Sequence, residues 1–221
     1  MPGAVAIAYL AVVGLLVGSF LNVVVHRLPR GESLVRPRSR CTACGVQIAA
    51  YDNVPVVSWA LLRGRCRHCG TSIAVRYPAI EALTGAVFAA VAAVRGVDGE
   101  LALELPFAAL LIAVAAIDLE HRIVPNRLLA PAAVWALAGW VVVEAPFLPE
   151  ALAGGGGGFA FLLLAALAYP AGMGMGDVKL AGVIGLYLGL SVIPALLVAF
   201  LAGSVVGLAL IAREARDARK K

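Results

Sequence analysis

The sequence predicts an all-α polytopic membrane protein with about seven transmembrane helices and one small polar domain in the loop between helices 1 and 2. Composition is the first reason: hydrophobic residues make up 62% of the 221, charged residues 14%, and mean hydropathy is +0.95. These values lie outside the range of ordinary soluble domains. The second reason is that apolar runs recur along almost the whole chain. A helix needs about 20 such residues to cross a hydrocarbon core of about 30 Å.

Seven apolar runs are the predicted membrane helices. The count could also be six or eight, because only a short Leu-Gly-Leu-Ser turn separates the last two runs, and the sixth is short for a full crossing. A cleaved signal peptide is not expected, because no basic residue precedes the first run. The runs are 5–25, 80–94, 101–117, 128–143, 151–169, 178–190 and 191–212.

The distribution of Lys and Arg predicts the orientation of these helices. With residues 26–79 in the cytoplasm and seven crossings, Arg95 alone of the 18 basic residues falls outside. The N-terminus is then outside, and the loops that contain Asp118 and Asp177 and the C-terminus are cytoplasmic. The net charge of +5 therefore reflects topology and contact with membrane lipids. A nucleic-acid partner is not expected, because no aromatic residues are interleaved with the arginines.

All four cysteines lie in the loop after the first helix, as Cys41-x-x-Cys44 and Cys66-x-x-Cys69, each pair followed by a glycine. Two such pairs can place four thiolates tetrahedrally around one structural Zn²⁺. A pair of disulfides is the alternative, which a reducing cytoplasm disfavours. His68 could also replace one cysteine as a ligand.

Two aspartates border apolar helices. Asp118 follows the third run, and residues 118–126 are predicted to be a short loop that re-enters the membrane. Asp177 follows a segment with glycine at positions 172, 174 and 176, and we expect Gly174 and Gly176 to let a substrate backbone approach. Helix capping is the alternative role for each aspartate.

A carboxyl group is costly to keep beside apolar helices, so the presence of two suggests that they take part in a reaction and are not merely structural. Two carboxyls that share one water would also share a proton, and this arrangement activates water for peptide hydrolysis. The pair therefore predicts an aspartic protease. Glu120, His121 and Lys179 are not given a catalytic part, and the first two are expected to be solvated loop residues.

Five ordered motifs between residues 18 and 180 resemble those of the bacterial type IV prepilin peptidases, which are GxGD-type intramembrane aspartyl proteases. Asn126 departs from the aspartate that the family commonly has after the proline. The motifs are Gly18-Ser-Phe-Leu-Asn22 with His26-Arg27-Leu-Pro29, Asn53-x-Pro55-x-x-Ser58-Trp59 with Arg63-Gly-Arg-Cys66, Arg76-Tyr-Pro-x-x-Glu81, Asp118-x6-Pro125-Asn126, and Gly174-Met-Gly176-Asp177.

The resemblance implies a bacterial inner-membrane enzyme that removes the short basic leader of type IV prepilins or pseudopilins after glycine. It implies that Asp118 and Asp177 are catalytic and that the four cysteines bind zinc. It also implies N-methylation of the new N-terminus with S-adenosylmethionine. Residues 26–79 contain no Gly-x-Gly-x-x-Gly fingerprint, so no residue is assigned to that cofactor.

The predicted domains are a first helix (1–25), a cytoplasmic zinc-binding and methyltransferase domain (26–79), a peptidase membrane core (80–212) and a basic tail (213–221). Glycines 154–158 and Gly182, Gly185 and Gly189 are predicted to be helix-packing surfaces. Three other functions fit parts of the pattern: a presenilin-like protease, a proton-coupled transporter, and a zinc-loop scaffold without enzymatic activity.

Overall fold

A computed structural model describes residues 2–170 and 172–218, and the side chains of Pro2, Leu210 and residues 214–218 are not described. These ranges form eight α-helices and contain no strand, which confirms the all-α class. The helices are α1 (Pro2–Arg27), α2 (Val57–Leu61), α3 (Arg76–Arg95), α4 (Leu101–His121), α5 (Asn126–Val143), α6 (Leu148–Ala168), α7 (Met175–Leu188) and α8 (Val192–Ala218).

Every helix except the five-residue α2 corresponds to one of the seven predicted membrane helices. Six stretches within the described residues are long and apolar enough to cross a membrane, because α7 and α8 form one stretch, Met175–Arg213. A single 3₁₀ turn, Gly189–Ser191, joins these two helices. The 14 residues of α7 span about 21 Å, less than a hydrocarbon core. An odd number of crossings therefore stays a prediction.

The chain divides into two compact units, Met1–Trp135 and Ala136–Lys221. Arg219, Lys220 and Lys221 of the predicted basic tail lie outside the described residues.

In the first unit, α1 and α3 are in direct backbone contact at glycines. A Cβ atom on Gly14 would lie 2.7 Å from the carbonyl oxygen of Thr84, and one on Gly18 would lie 2.7 Å from the Cα of Glu81. Small residues allow this kind of close approach between membrane helices. Leu21, Phe88 and Ala113 belong to a buried cluster that joins α1, α3 and α4.

In the second unit, α6 and α7 are packed still more closely. A Cβ on Gly154 would lie 2.1 Å from the carbonyl oxygen of Gly189, and one on Gly185 would lie 2.2 Å from that of Gly154. By contrast, Gly156 and Gly157 have nothing within 4 Å of their Cβ positions. The glycine run therefore presents one face to α7 and another face away from it, as predicted for a packing surface.

Candidate functional site

The two Cys-x-x-Cys segments fold into matching turns. In the first, the N–H of Gly45 donates to the carbonyl oxygen of Cys41 at 2.9 Å, and in the second, Gly70 donates to Cys66 at 2.9 Å. Both glycines have positive φ, +73° and +70°. A residue with a side chain would be strained in this left-handed region, so the glycine after each pair is what closes the turn.

The four cysteine sulfurs lie together. All four Sγ atoms are within 4.8 Å of one another, and those of Cys41 and Cys69 are 3.8 Å apart. Tetrahedral zinc with Zn–S bonds of about 2.3 Å requires sulfurs about 3.8 Å apart, so the cluster fits such an ion. Among the described residues, the group that could hold a metal consists of these four cysteines and does not include His68.

The thiols of the cluster differ in acidity. A side-chain hydrogen bond with Thr71 lowers the pKa of Cys69 to about 6. At Cys44 the backbone hydrogen bond from Val46 lowers the pKa, but desolvation and the neighbouring cysteines raise it to about 11. Thiolates this close repel one another, so they do not all ionise by themselves. A divalent cation removes that repulsion, which is the chemistry expected of a structural metal site.

Contacts beyond the cysteines also fold this segment, residues 28–75, which we name the cysteine loop. The indole N–H of Trp59 donates to the carbonyl oxygen of Ile73 at 3.0 Å. Gly64, with φ +67°, passes so close to the Trp59 ring that a Cβ would lie 2.9 Å from it. Arg67 forms an ion pair with Asp52 at 2.6 Å, and the pKa of Asp52 is lowered by the hydrogen bond from Arg67.

Glu81 connects the cysteine loop to α3. Its Oε2 accepts the backbone N–H of Val56 at 2.7 Å, and the residue is only 9% exposed. Val56 has φ 60° and ψ −48°. Positive φ is a rare conformation for a β-branched residue. The buried carboxylate thus holds the loop backbone in a conformation that it would otherwise leave.

Asp118 lies in the last turn of α4 and is exposed. The helix continues to His121 and ends at Arg122, whose φ is 54° and whose N–H donates to the carbonyl oxygen of Asp118 at 2.8 Å. The prediction that residues 118–126 form a loop is therefore wrong, since the loop covers only 122–125. Pro125 restricts the residue directly before it, and its effect does not reach back to Asp118.

Asp177 is the third residue of α7 and is exposed. Gly174, in extended conformation, is the residue at the helix N-cap, so Asp177 does not occupy the capping position. Its carboxylate turns back toward that end, because a Cβ on Gly174 would lie 3.5 Å from Asp177 Oδ2. A negative charge in the first turn is favourable at the positive end of the helix dipole. Gly174 is exposed and Gly176 is half-buried.

The structure brings the four cysteines together within the first unit. Of the two aspartates, Asp118 belongs to the first unit and Asp177 to the second. Glu120 is exposed, as expected, but it lies in the last turn of α4 and not in a loop, and it forms an ion pair with Arg76 of α3. His121 is the last residue of α4 and is half-buried, so it is not a solvated loop residue. The long-range partner of Glu120 had no signal in the local sequence.

A cavity of about 660 Å³ lies beneath the cysteine turns, entirely within the first unit. The cysteine loop and the ends of α1, α3 and α4 form its walls. Sequence reasoning missed it, because its residues come from four separate segments. The residues that line it include Asp52, Trp59, Arg76, Tyr77, Glu81 and Glu120.

Comparison with known families decides the class of protein. Residues 12–94 match the bacterial peptidase A24 N-terminal domain, and residues 105–212 match the type IV leader peptidase family. The chain belongs to the type IV leader peptidase family. The predicted family is thereby confirmed, and as a type IV leader peptidase the chain is a multi-pass membrane peptidase.

Several proteins with the name prepilin leader peptidase/N-methyltransferase are similar to this leader peptidase. One from Myxococcus xanthus is 39% identical over 209 residues, which cover 92% of this chain and 62% of the relative. One from Burkholderia pseudomallei is 37% identical, covering 94% and 77%. One from Neisseria gonorrhoeae is 37% identical, covering 89% and 78%. No solved structure gives a significant match.

Proposed function

We propose that this chain is a membrane-embedded aspartic endopeptidase that removes the short basic leader of a type IV prepilin or pseudopilin after a glycine. Asp118 and Asp177 are assigned as its catalytic residues. The observation that carries the assignment is that both are exposed carboxylates in the end turns of apolar helices. A carboxylate in such a turn can meet water and a peptide at the membrane surface.

In this mechanism the two carboxyls meet around one water molecule, one ionised and the other protonated. The ionised carboxylate takes a proton from water as the oxygen attacks the carbonyl carbon of the scissile bond. The protonated carboxyl donates its proton to the carbonyl oxygen. As the tetrahedral intermediate collapses, one of its hydroxyl groups returns a proton to the second carboxylate, the C–N bond breaks, and the amine leaves with a proton from the first carboxyl.

The glycines before Asp177 are assigned to the substrate backbone. Gly174 is extended and exposed, so its N–H and C=O groups are free of side-chain cover. A peptide in extended conformation can lie beside such a segment and present its scissile bond to the aspartate. Side chains at positions 174 and 176 would obstruct this approach.

The proposed orientation places the aspartate-bearing helix ends, the cysteine loop and the C-terminus in the bacterial cytoplasm and the N-terminus outside. The excess of Lys and Arg in the segments assigned to the cytoplasm supports it. A prepilin leader carries its basic residues on that side, so substrate and catalytic carboxyls would meet at one membrane face. The proposed domains are 1–25, 26–79, 80–212 and 213–221.

We assign a structural Zn²⁺ to Cys41, Cys44, Cys66 and Cys69, because the sulfur spacing and the all-thiolate donor set suit a closed tetrahedral site. Four protein ligands leave no open position, so the metal stabilises the loop and takes no part in hydrolysis.

The names of the relatives include N-methyltransferase, and we propose that this chain also methylates the new N-terminal amine with S-adenosylmethionine. The cofactor would supply an electrophilic methyl group: the amine nitrogen bonds to its carbon, the C–S bond breaks with its electron pair on sulfur, and the amine loses a proton to water.

The peptidase assignment is tested with purified protein in detergent and a prepilin substrate, with cleavage followed by mass spectrometry. Asp118→Asn and Asp177→Asn should each lower the rate at least about 1,000-fold, equivalent to about 4 kcal/mol of transition-state stabilisation. Asp98→Asn is the matched control, since this carboxylate lies before the other end of α4. The proposal would be overturned if both aspartate variants cleaved the prepilin at the wild-type rate, or if the wild-type protein did not cleave it.

A further inference from the structure

The short helix α2 of the cysteine loop has the opposite of the side-chain pattern expected in water. Its serine, Ser58, is only 5% exposed, and the hydroxyl donates to the carbonyl oxygen of Tyr51 at 2.8 Å and accepts the N–H of Val54 at 3.1 Å. Its apolar side chains face outward, since Val57 is 53% exposed and Leu61 is 78% exposed. A buried polar group beneath large exposed apolar groups indicates that an apolar partner covers this face.

The helix is held in a fixed orientation by the turns at its two ends. Val56, directly before it, has φ 60°, and Arg63, two residues after it, has φ 52°. A residue with a side chain rarely adopts this left-handed conformation, so other contacts must hold the turns. The carboxylate of Glu81 accepts the N–H of Val56, and the ring of Trp59 lies against the backbone of Gly64.

The hydrogen bond to Glu81 also sets the level of α2 relative to the membrane. Glu81 is the sixth residue of α3, so its Cα lies about 7.5 Å along the helix axis from that of Arg76. α3 is long and apolar enough to cross a membrane, and its predicted apolar run begins at Ile80. Helical side chains lean toward the N-terminus of their helix, so the start of α2 lies just on the loop side of this point. That level is the headgroup layer, which is about 5–8 Å thick on each side of the hydrocarbon core.

Two arginines border the exposed apolar face. Arg63 and Arg65 follow α2 and are exposed, and neither has an ion pair among the described residues, whereas Arg67 pairs with Asp52. An arginine can lay its apolar stem along a hydrophobic surface and bring its guanidinium to a phosphate. An apolar face beside unpaired arginines is therefore complementary to a phospholipid leaflet, which has acyl chains beneath a layer of phosphates.

From these observations we infer that α2 lies in the headgroup layer of the membrane that the chain itself spans. Val57 and Leu61 contact the acyl chains, and Arg63 and Arg65 contact lipid phosphates. In the proposed orientation this is the cytoplasmic leaflet, so one side of the predicted cytoplasmic domain is docked on the membrane. A second copy of the chain is a poorer occupant, because its unpaired arginines would meet those of the first. Neither cleavage nor methyl transfer is required for this docking.

The depth of α2 is measured with full-length protein in nanodiscs of phosphatidylcholine and phosphatidylglycerol. Leu61→Trp places a reporter on the exposed face, and Ala43→Trp places the matched control at an exposed position of the first cysteine turn, across the cavity from the helix ends. The native tryptophans are present in both variants, so the signal is the emission added to that of wild type. Lipids with brominated acyl chains should quench the signal of Leu61→Trp at least about twofold, since interfacial helices lie about 5–10 Å deep.

Iodide, a quencher confined to water, should give the reverse result. It should quench the signal of Ala43→Trp and spare that of Leu61→Trp. Hydrogen exchange over residues 40–72 that matches wild type checks that the loop stays folded in both variants. Quenching of Leu61→Trp by iodide and not by brominated lipid would overturn the inference, because α2 would then face water. Equal quenching of both variants by brominated lipid would also overturn it.

The contribution of the arginines is measured with the same reporter. Replacing both Arg63 and Arg65 by glutamine should weaken the quenching by brominated lipid and abolish its dependence on phosphatidylglycerol. Arg67→Gln is the matched control, because the charge of this arginine is already paired with Asp52. A loss of quenching in Arg67→Gln equal to that in the double variant would overturn the assignment of the phosphate contacts.

A protein occupant would give a different set of results. If neither quencher reached the tryptophan at position 61, protein would cover this face, and docking on lipid would be wrong. A wild-type dimer in detergent that dissociates in Leu61→Asp would identify a second copy as the occupant and would likewise overturn the inference. A monomer whose mass is the same in wild type and Leu61→Asp, together with quenching by brominated lipid, is the expected result.

Discussion

The cysteine loop and the two aspartate-bearing turns are positioned by different kinds of contact. The loop is held by short-range turns, by four sulfurs within 4.8 Å of one another, and by hydrogen bonds such as that from Val56 to Glu81. The turns with Asp118 and Asp177 are end turns of long helices that pack through apolar side chains and glycine. A polar segment with few buried apolar side chains depends on other contacts, such as hydrogen bonds and a bound metal, whereas a membrane helix depends on close packing.

The two regions should therefore lose their structure independently of each other. Removing the metal should affect the loop and spare the helices, because the loop has few buried apolar side chains of its own. Disrupting a glycine contact should affect the helices and spare the loop.

The largest expected effect is that of removing the zinc ion proposed for the four cysteines. After chelation, residues 40–72 should lose their protection from amide hydrogen exchange, because structural zinc supplies much of the folding free energy of such segments. The membrane helices should keep theirs. Hydrogen exchange with mass spectrometry checks both regions in one experiment.

Cys41→Ser should reproduce the effect of chelation, and Ala43→Ser, an exposed change in the same turn that keeps all four ligands, should not. Full protection of the loop after complete metal removal would contradict the claim that the metal stabilises the loop.

A smaller effect is expected from a methyl group between α6 and α7. Gly185→Ala places a Cβ 2.2 Å from the carbonyl oxygen of Gly154, which should cost about 2–3 kcal/mol and lower the thermal unfolding midpoint. Gly157→Ala is the matched control, since nothing lies within 4 Å and alanine favours a helix. Equal midpoints for the two variants would refute close packing, and a loosened cysteine loop in Gly185→Ala would refute independence.

The smallest effect is expected from Asp52→Asn. Arg67 lowers the pKa of Asp52, so the ion pair stabilises the folded loop above the ordinary pKa of 3.8, and this contribution is lost as the pH falls through the lower folded value. At neutral pH the variant should exchange slightly faster over residues 50–67. Salt should remove the difference, because exposed charges are screened. A difference that persists unchanged in 1 M salt would contradict the role of the ion pair.

Local signals allowed much of this structure to be predicted. Helix positions followed from apolar runs, and the clustering of the cysteines followed from their spacing and from the glycines at 45 and 70. The glycine surfaces of α6 and α7 were also anticipated. Each of these features is encoded within a short stretch of sequence or in a repeated pattern.

Features that depend on distant contacts were not predicted. The ion pair of Arg76 with Glu120 and the cavity beside it join segments more than 40 positions apart. The end of α4 was predicted too early, because an aspartate after an apolar run is typical of a loop. The helix in fact ends at His121, where Arg122 adopts a left-handed conformation. The roles of Asp118 and Asp177 stay predictions until the variants are measured.

The backbone contact between α6 and α7 restricts how Asp177 can move. Where two helices touch through glycine, there is no side chain whose rotation could let one slide past the other. The two helices are therefore expected to move as one body, and under the proposed function any displacement of Asp177 would carry α6 with it. Residues 172–174, the short glycine-containing segment before α7, lie outside both helices, so any bending that accompanies binding of the proposed substrate would take place there.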